Sequence, residues 1–95
     1  MTEDVRTPES VPALAYRHLF TLSLNVGARQ AQSIGNTPAG RRVIAPVLGG
    51  TFEGERLRGI VLPGGADWVI HRPDGAMLID VRLTLETHDA ALIYL

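Results

Sequence analysis

Residues 63–80 read PGGADWVIHRPDGAMLID, and this stretch carries two turns whose residues favour a chain reversal. In Pro73-Asp74-Gly75 the proline presets φ and the glycine accepts a positive φ, as a three-residue hairpin loop requires. Pro63-Gly64-Gly65 has the same chemistry and predicts a second reversal. The segment between the two turns has no helical spacing. The sequence therefore predicts antiparallel strands near 67–72 and 76–86, joined at the Pro73–Gly75 loop.

Outward from these turns, the alternation of strands and breaks continues downstream. Further strands are predicted near 56–62 and 91–95, the last one after a weaker turn at Thr87–Ala90. Consecutive strands joined by short turns form a meander. We therefore predict an all-β fold, an antiparallel meander forming an incomplete up-and-down β-barrel over residues 16–95. Residues 1–15 carry charges and two prolines without periodicity, which predicts a flexible N-terminal arm.

The upstream half gives weaker signals. Apolar and polar side chains alternate from His18 to Val26, which predicts a strand. Gly27–Gly40 contains several breakers and is predicted as a loop. Arg41–Phe52 is predicted as extended, with Pro46 at an edge or a bulge because proline cannot donate to the hydrogen-bond ladder.

The turns also assign side chains to the two faces of the sheet, because successive side chains alternate along a strand. A reversal at Pro63–Ala66 places Arg58 opposite His71, and the last turn places Leu83 opposite Tyr94. These registers gather mostly apolar side chains on one face, which we expect to point inward. The predicted inner face comprises Arg58, Ile60, Leu62, Asp67, Val69, His71, Met77, Ile79, Val81, Leu83, Leu85, Leu92 and Tyr94.

The composition excludes several classes of chemistry. A net charge of −1 offers no basic surface for nucleic acid or for an anionic membrane. The chain has neither cysteine nor lysine, which excludes disulfides, thiolate nucleophiles and Schiff bases. The three histidines lack metal-ligand spacing, so we expect neither a metal nor a cofactor. The N-terminus has no signal-peptide pattern and no apolar run could span a bilayer, which predicts a cytoplasmic location.

Several ordered motifs resemble those of one family. The motifs are TPAGRR at 37–42, GGTFEG at 49–54, LRG at 57–59, PGGADW at 63–68, RPDG at 72–75 and DVR at 80–82. Together they resemble family 3237 of the domains of unknown function, also called the UPF 0311 group, over about Leu19–Leu95. The resemblance implies an antiparallel β-barrel. It implies no established reaction, because the family is named for lacking one.

Two features depart from the family pattern. Family members continue through further strands after the third turn, so the resemblance implies that this chain lacks their C-terminal part. In that turn, Ala90 stands where the family has glycine and His88 where it has an acidic residue. If the turn needs a positive φ, we expect Asp89 to adopt it.

Asp67, Arg58 and His71 form the most specific candidate site on the predicted inner face. A carboxylate among apolar side chains, with a cationic neighbour, has a basicity that its surroundings tune. This pattern is typical of a binding or acid–base site. The alternative is a structural ion pair that is wet on one side.

Four other side chains are candidate ligand contacts. Trp68 and Asp80 oppose each other on the second face, as a binding pair, an exposed cross-strand pair or an oligomer contact. Glu53 either points into the barrel mouth or is a solvated turn carboxylate. Tyr94 either contacts a ligand or belongs to the core with its hydroxyl at an edge.

Three function classes remain open. The first is a domain that binds a small organic molecule in its lumen. The second is an isomerase or cyclase type of enzyme with Asp67 and His71 as candidate catalytic groups. The third is a structural, oligomerising module. Because about six strands are predicted and a ligand-sized barrel needs about eight, we expect a homodimer or higher oligomer that covers the apolar edge at 91–95.

Overall fold

The computed structural model describes residues 12–95, which form strands, turns and irregular segments. The strands are β1 Thr21–Val26, β2 Gln32–Thr37, β3 Gly40–Glu53, β4 Arg58–Val61, β5 Gly65–His71, β6 Met77–Leu78, β7 Val81–Arg82, β8 Thr84–Thr87 and β9 Leu92–Tyr94. The predicted arm over 1–15 lies mostly outside the described residues. Among residues 12–95, no helix is long and apolar enough to cross a membrane.

The 14-residue strand β3 organises the sheet because it pairs along both edges. Its first half lies between β2 and β5, and its second half lies between β1 and β4. Pro46 lies at the junction of the two halves, where β3 faces the loop between β1 and β2. The Pro46 carbonyl accepts a hydrogen bond from the Gly27 N–H at 2.9 Å, so the edge on which proline lacks a donor meets a loop.

The prediction of a loop over Gly27–Gly40 is wrong for Gln32–Thr37, which form β2. This strand has no apolar alternation, and most of its residues are exposed. Its conformation is instead imposed by backbone pairing with β3 across the tight turn at Pro38-Ala39. Pairing with a hairpin partner, although its register shifts between Ser33 and Gly35, therefore overrides weak local propensity.

The chain forms an antiparallel sheet that is not closed over the described residues. The pairing order is β6-β5-β3-β4-β8-β9, with β1 and β2 also on β3 and β7 also on β5. β1 and β2 pair one after the other with one side of β3 and form an edge of the sheet. β4 and β5 pair one after the other with the other side of β3. The sheet is thus a meander of bent strands, which confirms the predicted all-β class and the incomplete barrel.

Pro63-Gly64-Gly65 does not reverse the chain, so the prediction of a chain reversal at this motif is wrong. Val61 pairs with Gly50 and Gly65 pairs with Val47, so three residues of one strand face two residues of β3. The motif is therefore a β-bulge between β4 and β5, and Gly64 accommodates it with a φ of 114°. Proline and glycine favour a bulge as well as a turn, and local composition does not separate the two.

The bulge inverts the face assignment of β4. Val61 is buried at 2% exposure and Ile60 is 48% exposed, the reverse of the prediction. The predicted register of Arg58 with His71 is also wrong, because Arg58 pairs with Glu53. One inserted residue moves every side chain on one side of the insertion to the opposite face of the sheet.

The hairpin at Pro73–Gly75 is confirmed. Ile70 pairs with Leu78 and the Arg72 N–H donates to the Ala76 carbonyl at 2.8 Å. Gly75 has a φ of 89°, and its N–H donates back to the Arg72 carbonyl at 3.1 Å.

The loop between β8 and β9 repeats this geometry with a different residue. Thr87 and Ala91 flank a three-residue loop, in which the Ala90 N–H donates to the Thr87 carbonyl at 2.9 Å. Ala90 adopts the positive φ of 69° at the position that Gly75 holds in the other loop, so the expectation for Asp89 is wrong. Asp89 instead accepts a hydrogen bond from the Thr87 hydroxyl, which lowers the pKa of its carboxyl group.

This loop also shifts the last register by one residue. Tyr94 pairs with Thr84 rather than with Leu83, and Ile93 pairs with Leu85. Ile93 is therefore half-buried against the core, whereas Leu92 and Tyr94 are exposed. The predicted inward position of Leu92 and Tyr94 is wrong, because a three-residue loop places the strand one position further along than a four-residue turn.

In the described part of the chain, an apolar cluster lies on one face of the sheet, which we call the core face. Its buried members come from β3, β4 and the β7–β8 region: Val47, Phe52, Val61, Leu83 and Leu85. Phe20 packs edge-on against Phe52 with ring centroids 5.4 Å apart. Gly59 contributes close backbone contact, because a Cβ there would overlap the Glu86 carbonyl oxygen. Leu22 and Leu24 of β1 pack on the same cluster, as their alternation predicts.

Candidate functional site

The structure does not bring Asp67, Arg58 and His71 together. Asp67 pairs with Ala45 and Arg58 with Glu53, so eight positions of β3 separate them, about 26 Å along the strand. Asp67 and His71 share a face as predicted, but four residues of β5 separate them by about 13 Å. The predicted three-residue cluster is therefore wrong.

Asp67 has a structural partner in the next strand. Its Oδ1 accepts a hydrogen bond from the Asp80 backbone N–H at 3.2 Å, and the residue is half-buried. This bond joins β5 to the segment between β6 and β7, where the ladder is interrupted. The carboxylate thus replaces a missing backbone acceptor.

Other candidates do converge, on the face opposite the core. A cleft of about 140 Å³ is lined there by Gly64, Gly65, Trp68, Arg82, Leu83, Thr84 and Tyr94. Two of these, Trp68 and Tyr94, are residues that the sequence singled out. Asp80, another residue that the sequence singled out, is not part of the lining but accepts a hydrogen bond from the Arg82 side chain. Glu53 and Arg58 lie outside it, as exposed cross-strand neighbours at the far end of β3.

Four adjacent strand segments position the cleft. Trp68 of β5 donates its backbone N–H to the Asp80 carbonyl at 2.9 Å, as the predicted register requires. Ala66 pairs with Arg82, and Thr84 pairs with Tyr94 in the next ladder. Gly64 and Gly65 of the bulge have no side chains that would fill the cleft. A Cβ at Gly65 would also overlap the Arg82 carbonyl oxygen. The bulge thus makes the cleft by removing side chains where two ladders meet.

Arg82 is the charged centre of the cleft. Its Nε donates to Asp80 Oδ1 at 3.1 Å, and one terminal nitrogen donates to the Tyr94 hydroxyl at 3.4 Å. The hydrogen bond with Tyr94 and the charge of Asp80 raise the pKa of the guanidinium. A guanidinium has five N–H donors, and two of them are used here. The remaining donors are available to a ligand, because the side chain is 54% exposed.

Arg82 is the charged residue of the cleft that the sequence analysis did not select. The spacing of Asp80 and Arg82 is the sequence signal that could have identified it. Residues two positions apart on a strand lie on the same face of the sheet, so an acidic and a basic side chain are neighbours there. The predicted pairing of Trp68 with Asp80 then places both charges beside an aromatic ring. Tyr94 was selected for the wrong face, and the one-residue shift of β9 brings it to this cleft.

A second cleft of about 120 Å³ is lined by Arg17, His18, Leu19, Glu55 and Arg56. These residues lie before β1 and between β3 and β4, outside the strands. His18 Nε2 lies 2.9 Å from the Thr21 hydroxyl. This cleft has cationic groups but no tryptophan, tyrosine or phenylalanine side chain. Within residues 12–95, no three histidine or acidic side chains form a metal-ligating group.

Comparison with known proteins identifies relatives of unknown function. Residues 14–95 match the family described as "Protein of unknown function (DUF3237)". A UPF0311 protein of Rhodopseudomonas palustris is 37% identical over 83 residues, 87% of this chain and 53% of the relative. One from Clostridium acetobutylicum is 32% identical over 87 residues, 90% of this chain and 54% of the relative. The chain thus spans about half the length of these relatives.

Solved structures agree with this assignment. A conserved protein of unknown function from Rhodopseudomonas palustris matches with a TM-score of 0.80 at 37% identity, over 88% of this chain and 55% of that one. A β-barrel like protein from Acinetobacter baumannii matches with a TM-score of 0.67 at 39% identity, over 85% of this chain and 55% of that one. This chain belongs to the DUF3237 family, the UPF0311 group of proteins of unknown function.

Proposed function

We propose that this chain binds a small organic molecule in the cleft between Trp68, Arg82 and Tyr94. The observation that carries the proposal is the convergence of two aromatic side chains and a partly free guanidinium on a cleft of about 140 Å³. Few polar groups placed among apolar and aromatic ones are typical of small-molecule sites. The position differs from the predicted lumen site, because packed apolar side chains fill much of the core face.

The chemistry of the cleft favours a planar carboxylate. A guanidinium recognises a carboxylate through two parallel hydrogen bonds, for which Arg82 has free donors. Trp68 and Tyr94 offer ring surfaces beside it, and planar groups stack on such surfaces. A cavity of about 150 Å³ holds one benzene ring, which sets the size of the bound group. A single-ring aromatic or conjugated acid therefore fits the cleft in charge, shape and volume.

The enzyme alternative has less support. The two candidate catalytic groups, Asp67 and His71, lie about 13 Å apart along β5, so they do not act together on one reacting centre. The Asp67 carboxylate also has a backbone partner at Asp80. Binding without chemistry is the simpler function for the cleft residues.

The fluorescence of the single tryptophan tests the proposal, because Trp68 lines the cleft. We expect benzoate to change the emission saturably, with a dissociation constant on the order of 1 mM. Benzamide has the same ring without the charge and should bind at least about tenfold more weakly, because a charge-assisted hydrogen bond contributes about 1.5–3 kcal/mol.

The matched variants are Arg82→Gln and Arg58→Gln. Both remove one exposed arginine from a strand, but only Arg82 lies in the cleft. Arg82→Gln should weaken benzoate binding at least about tenfold, whereas Arg58→Gln should leave it unchanged. An unsaturable response, equal binding of benzamide or equal losses in the two variants would overturn the proposal.

A further inference from the structure

β6 and β7 pair with β5 in one continuous register, although residues 79 and 80 separate them. Leu78 pairs with Ile70 and Arg82 pairs with Ala66. The two pairs are four residues apart on both strands, so no residue is inserted between β6 and β7. The break between these strands is therefore a change in hydrogen bonding, and it lies at Asp80.

Asp80 forms one ladder hydrogen bond with the backbone of β5 and a second bond with a side chain. In an antiparallel ladder, the two residues of a hydrogen-bonded pair exchange two N–H···O bonds. The Trp68 N–H donates to the Asp80 carbonyl at 2.9 Å. The Asp80 N–H donates instead to Asp67 Oδ1, at 3.2 Å. The Asp67 carboxylate thus takes the place of the Trp68 carbonyl and holds the Asp80 backbone.

The side chain of the same Asp80 holds the guanidinium in the cleft. Asp80 Oδ1 accepts a hydrogen bond from Arg82 Nε at 3.1 Å, and the Tyr94 hydroxyl accepts one from Arg82 Nη1 at 3.4 Å. Because a guanidinium is planar, these two bonds together define its orientation. In the part of the chain that the structure describes, both N–H groups of Nη2 remain for a ligand.

The pair of Asp80 and Arg82 needs support to keep one geometry, because it is exposed. Its side chains are 59% and 54% exposed. An exposed ion pair is weak, since ordering two flexible side chains costs conformational entropy. A binding group keeps its orientation better when its partner is itself fixed by a further hydrogen bond. The half-buried Asp67 supplies such a bond to the Asp80 backbone.

We infer that Asp67 is a positioning residue of the cleft, which holds Arg82 in its binding orientation through Asp80. Asp67 does not line the cleft, so it acts on the Asp80 backbone rather than on a ligand. The expected effect on binding rests on the proposed function, whereas the effect on the Arg82 orientation needs no ligand. The inference gives a role to the carboxylate that the sequence analysis placed in a site.

Two variants of Asp67 separate its hydrogen bond from its charge. Asp67→Asn and Asp67→Ala both remove the negative charge, but only asparagine keeps an oxygen that can accept from the Asp80 N–H. Asp74→Ala is the matched control. Asp74 Oδ1 accepts a hydrogen bond from the Ala76 N–H at 3.0 Å in the hairpin between β5 and β6, and neither residue lines the cleft.

The NMR signal of the Arg82 side-chain Nε–H tests the orientation without a ligand, and Arg82→Gln identifies this signal by removing it. Asp67→Ala should accelerate exchange of the Nε–H with water at least about threefold, because the bond to Asp80 is formed less of the time. Asp67→Asn should restore most of the protection, and Asp74→Ala should not change it. Equal exchange rates in Asp67→Ala and the unmodified chain would overturn the inference.

Benzoate titration, followed by Trp68 fluorescence, tests the consequence for binding. The dissociation constant should rise at least about threefold in Asp67→Ala, should be largely restored in Asp67→Asn and should be unchanged in Asp74→Ala. Weaker binding in Arg82→Gln without a change in Asp67→Ala would overturn the inference and leave the proposed function intact. Absence of benzoate binding to the unmodified chain, with faster Arg82 exchange in Asp67→Ala, would overturn the proposed function alone.

Exchange of the Asp80 backbone amide in the unmodified chain tests the contact itself, in case Asp67→Ala does not fold. A hydrogen-bonded amide exchanges only when its bond opens. The Asp80 amide should therefore exchange at least about fivefold more slowly than the Asp74 amide, which donates no hydrogen bond within residues 12–95. Exchange at Asp80 as rapid as at Asp74 would overturn the inference.

Discussion

At the scale of single residues, two loops of the same shape differ in the residue that adopts a positive φ. Gly75 has a φ of 89° and Ala90 a φ of 69°, each as the last residue of a three-residue hairpin loop. A left-handed conformation costs an L-residue about 1–2 kcal/mol, a cost that glycine does not have. Ala90 is therefore a strained residue in a loop that glycine would fit.

The exchange of these two residue types gives the first stability prediction. Ala90→Gly should stabilise the fold by about 0.5–1 kcal/mol, since relief of strain exceeds the added entropy of the unfolded chain. Gly75→Ala should destabilise it by about 1 kcal/mol, because no atom within 4 Å would clash and only the backbone strain remains. Urea unfolding measures both changes. A loss of stability in Ala90→Gly or a gain of stability in Gly75→Ala would contradict the loop geometry.

Ala39→Gly is the control for chain entropy. Ala39 also lies in a hairpin turn, but its φ is not positive. Glycine there should lower the free energy of unfolding by about 0.4–1 kcal/mol, because only the unfolded state gains freedom. A gain of stability at position 39 would show that glycine stabilises these turns for a reason other than φ.

At the scale of strands, one bulge decides which side chains of β4 form the core. Val61→Ala should lower the free energy of unfolding by about 2–3 kcal/mol, because Val61 is 2% exposed within the apolar cluster. Ile60→Ala removes more atoms but should cost less than about 1 kcal/mol, because Ile60 is 48% exposed on the other face. A larger loss of stability in Ile60→Ala than in Val61→Ala would instead support a chain reversal at Pro63–Gly65.

The same elements show how far the sequence determines the fold. The Pro73–Gly75 hairpin was predicted in type and register, because its residues are compatible with few turn geometries. Pro63-Gly64-Gly65 has the same residue types, and only pairing with a distant strand selects the bulge. The β8–β9 loop lacks glycine, so its length differed by one residue from the prediction. A one-residue difference is sufficient to exchange the two faces of a strand.

The candidate site was predictable only in part for the same reason. Trp68 and Asp80 were placed correctly because the reliable hairpin joins them. Arg58 and Tyr94 lie beyond the bulge and the last loop, and both were placed on the wrong face. Arg82 was not selected because its hydrogen-bond partner, the Tyr94 hydroxyl, lies beside it only in the shifted register.

At the scale of the whole molecule, the open sheet relates the fold to the family. The chain covers 55% of a related β-barrel like protein, and its own described strands do not close. Among residues 12–95 no strand pairs with the outer edge of β9, which lies beside the cleft that contains Trp68, Arg82 and Tyr94. The cleft that we propose as a ligand site therefore lies where the described part of the sheet is open.

Amide chemical shifts during a benzoate titration test the proposed site most directly, because they locate the ligand among all parts of the chain. We predict that the largest saturable shifts occur at Gly64, Gly65 and Thr84, which line the cleft. The Arg82 side-chain Nε–H should shift with them. Absence of saturable shifts, or shifts concentrated at His18 and Arg56 in the other cleft, would contradict a ligand site at Trp68, Arg82 and Tyr94.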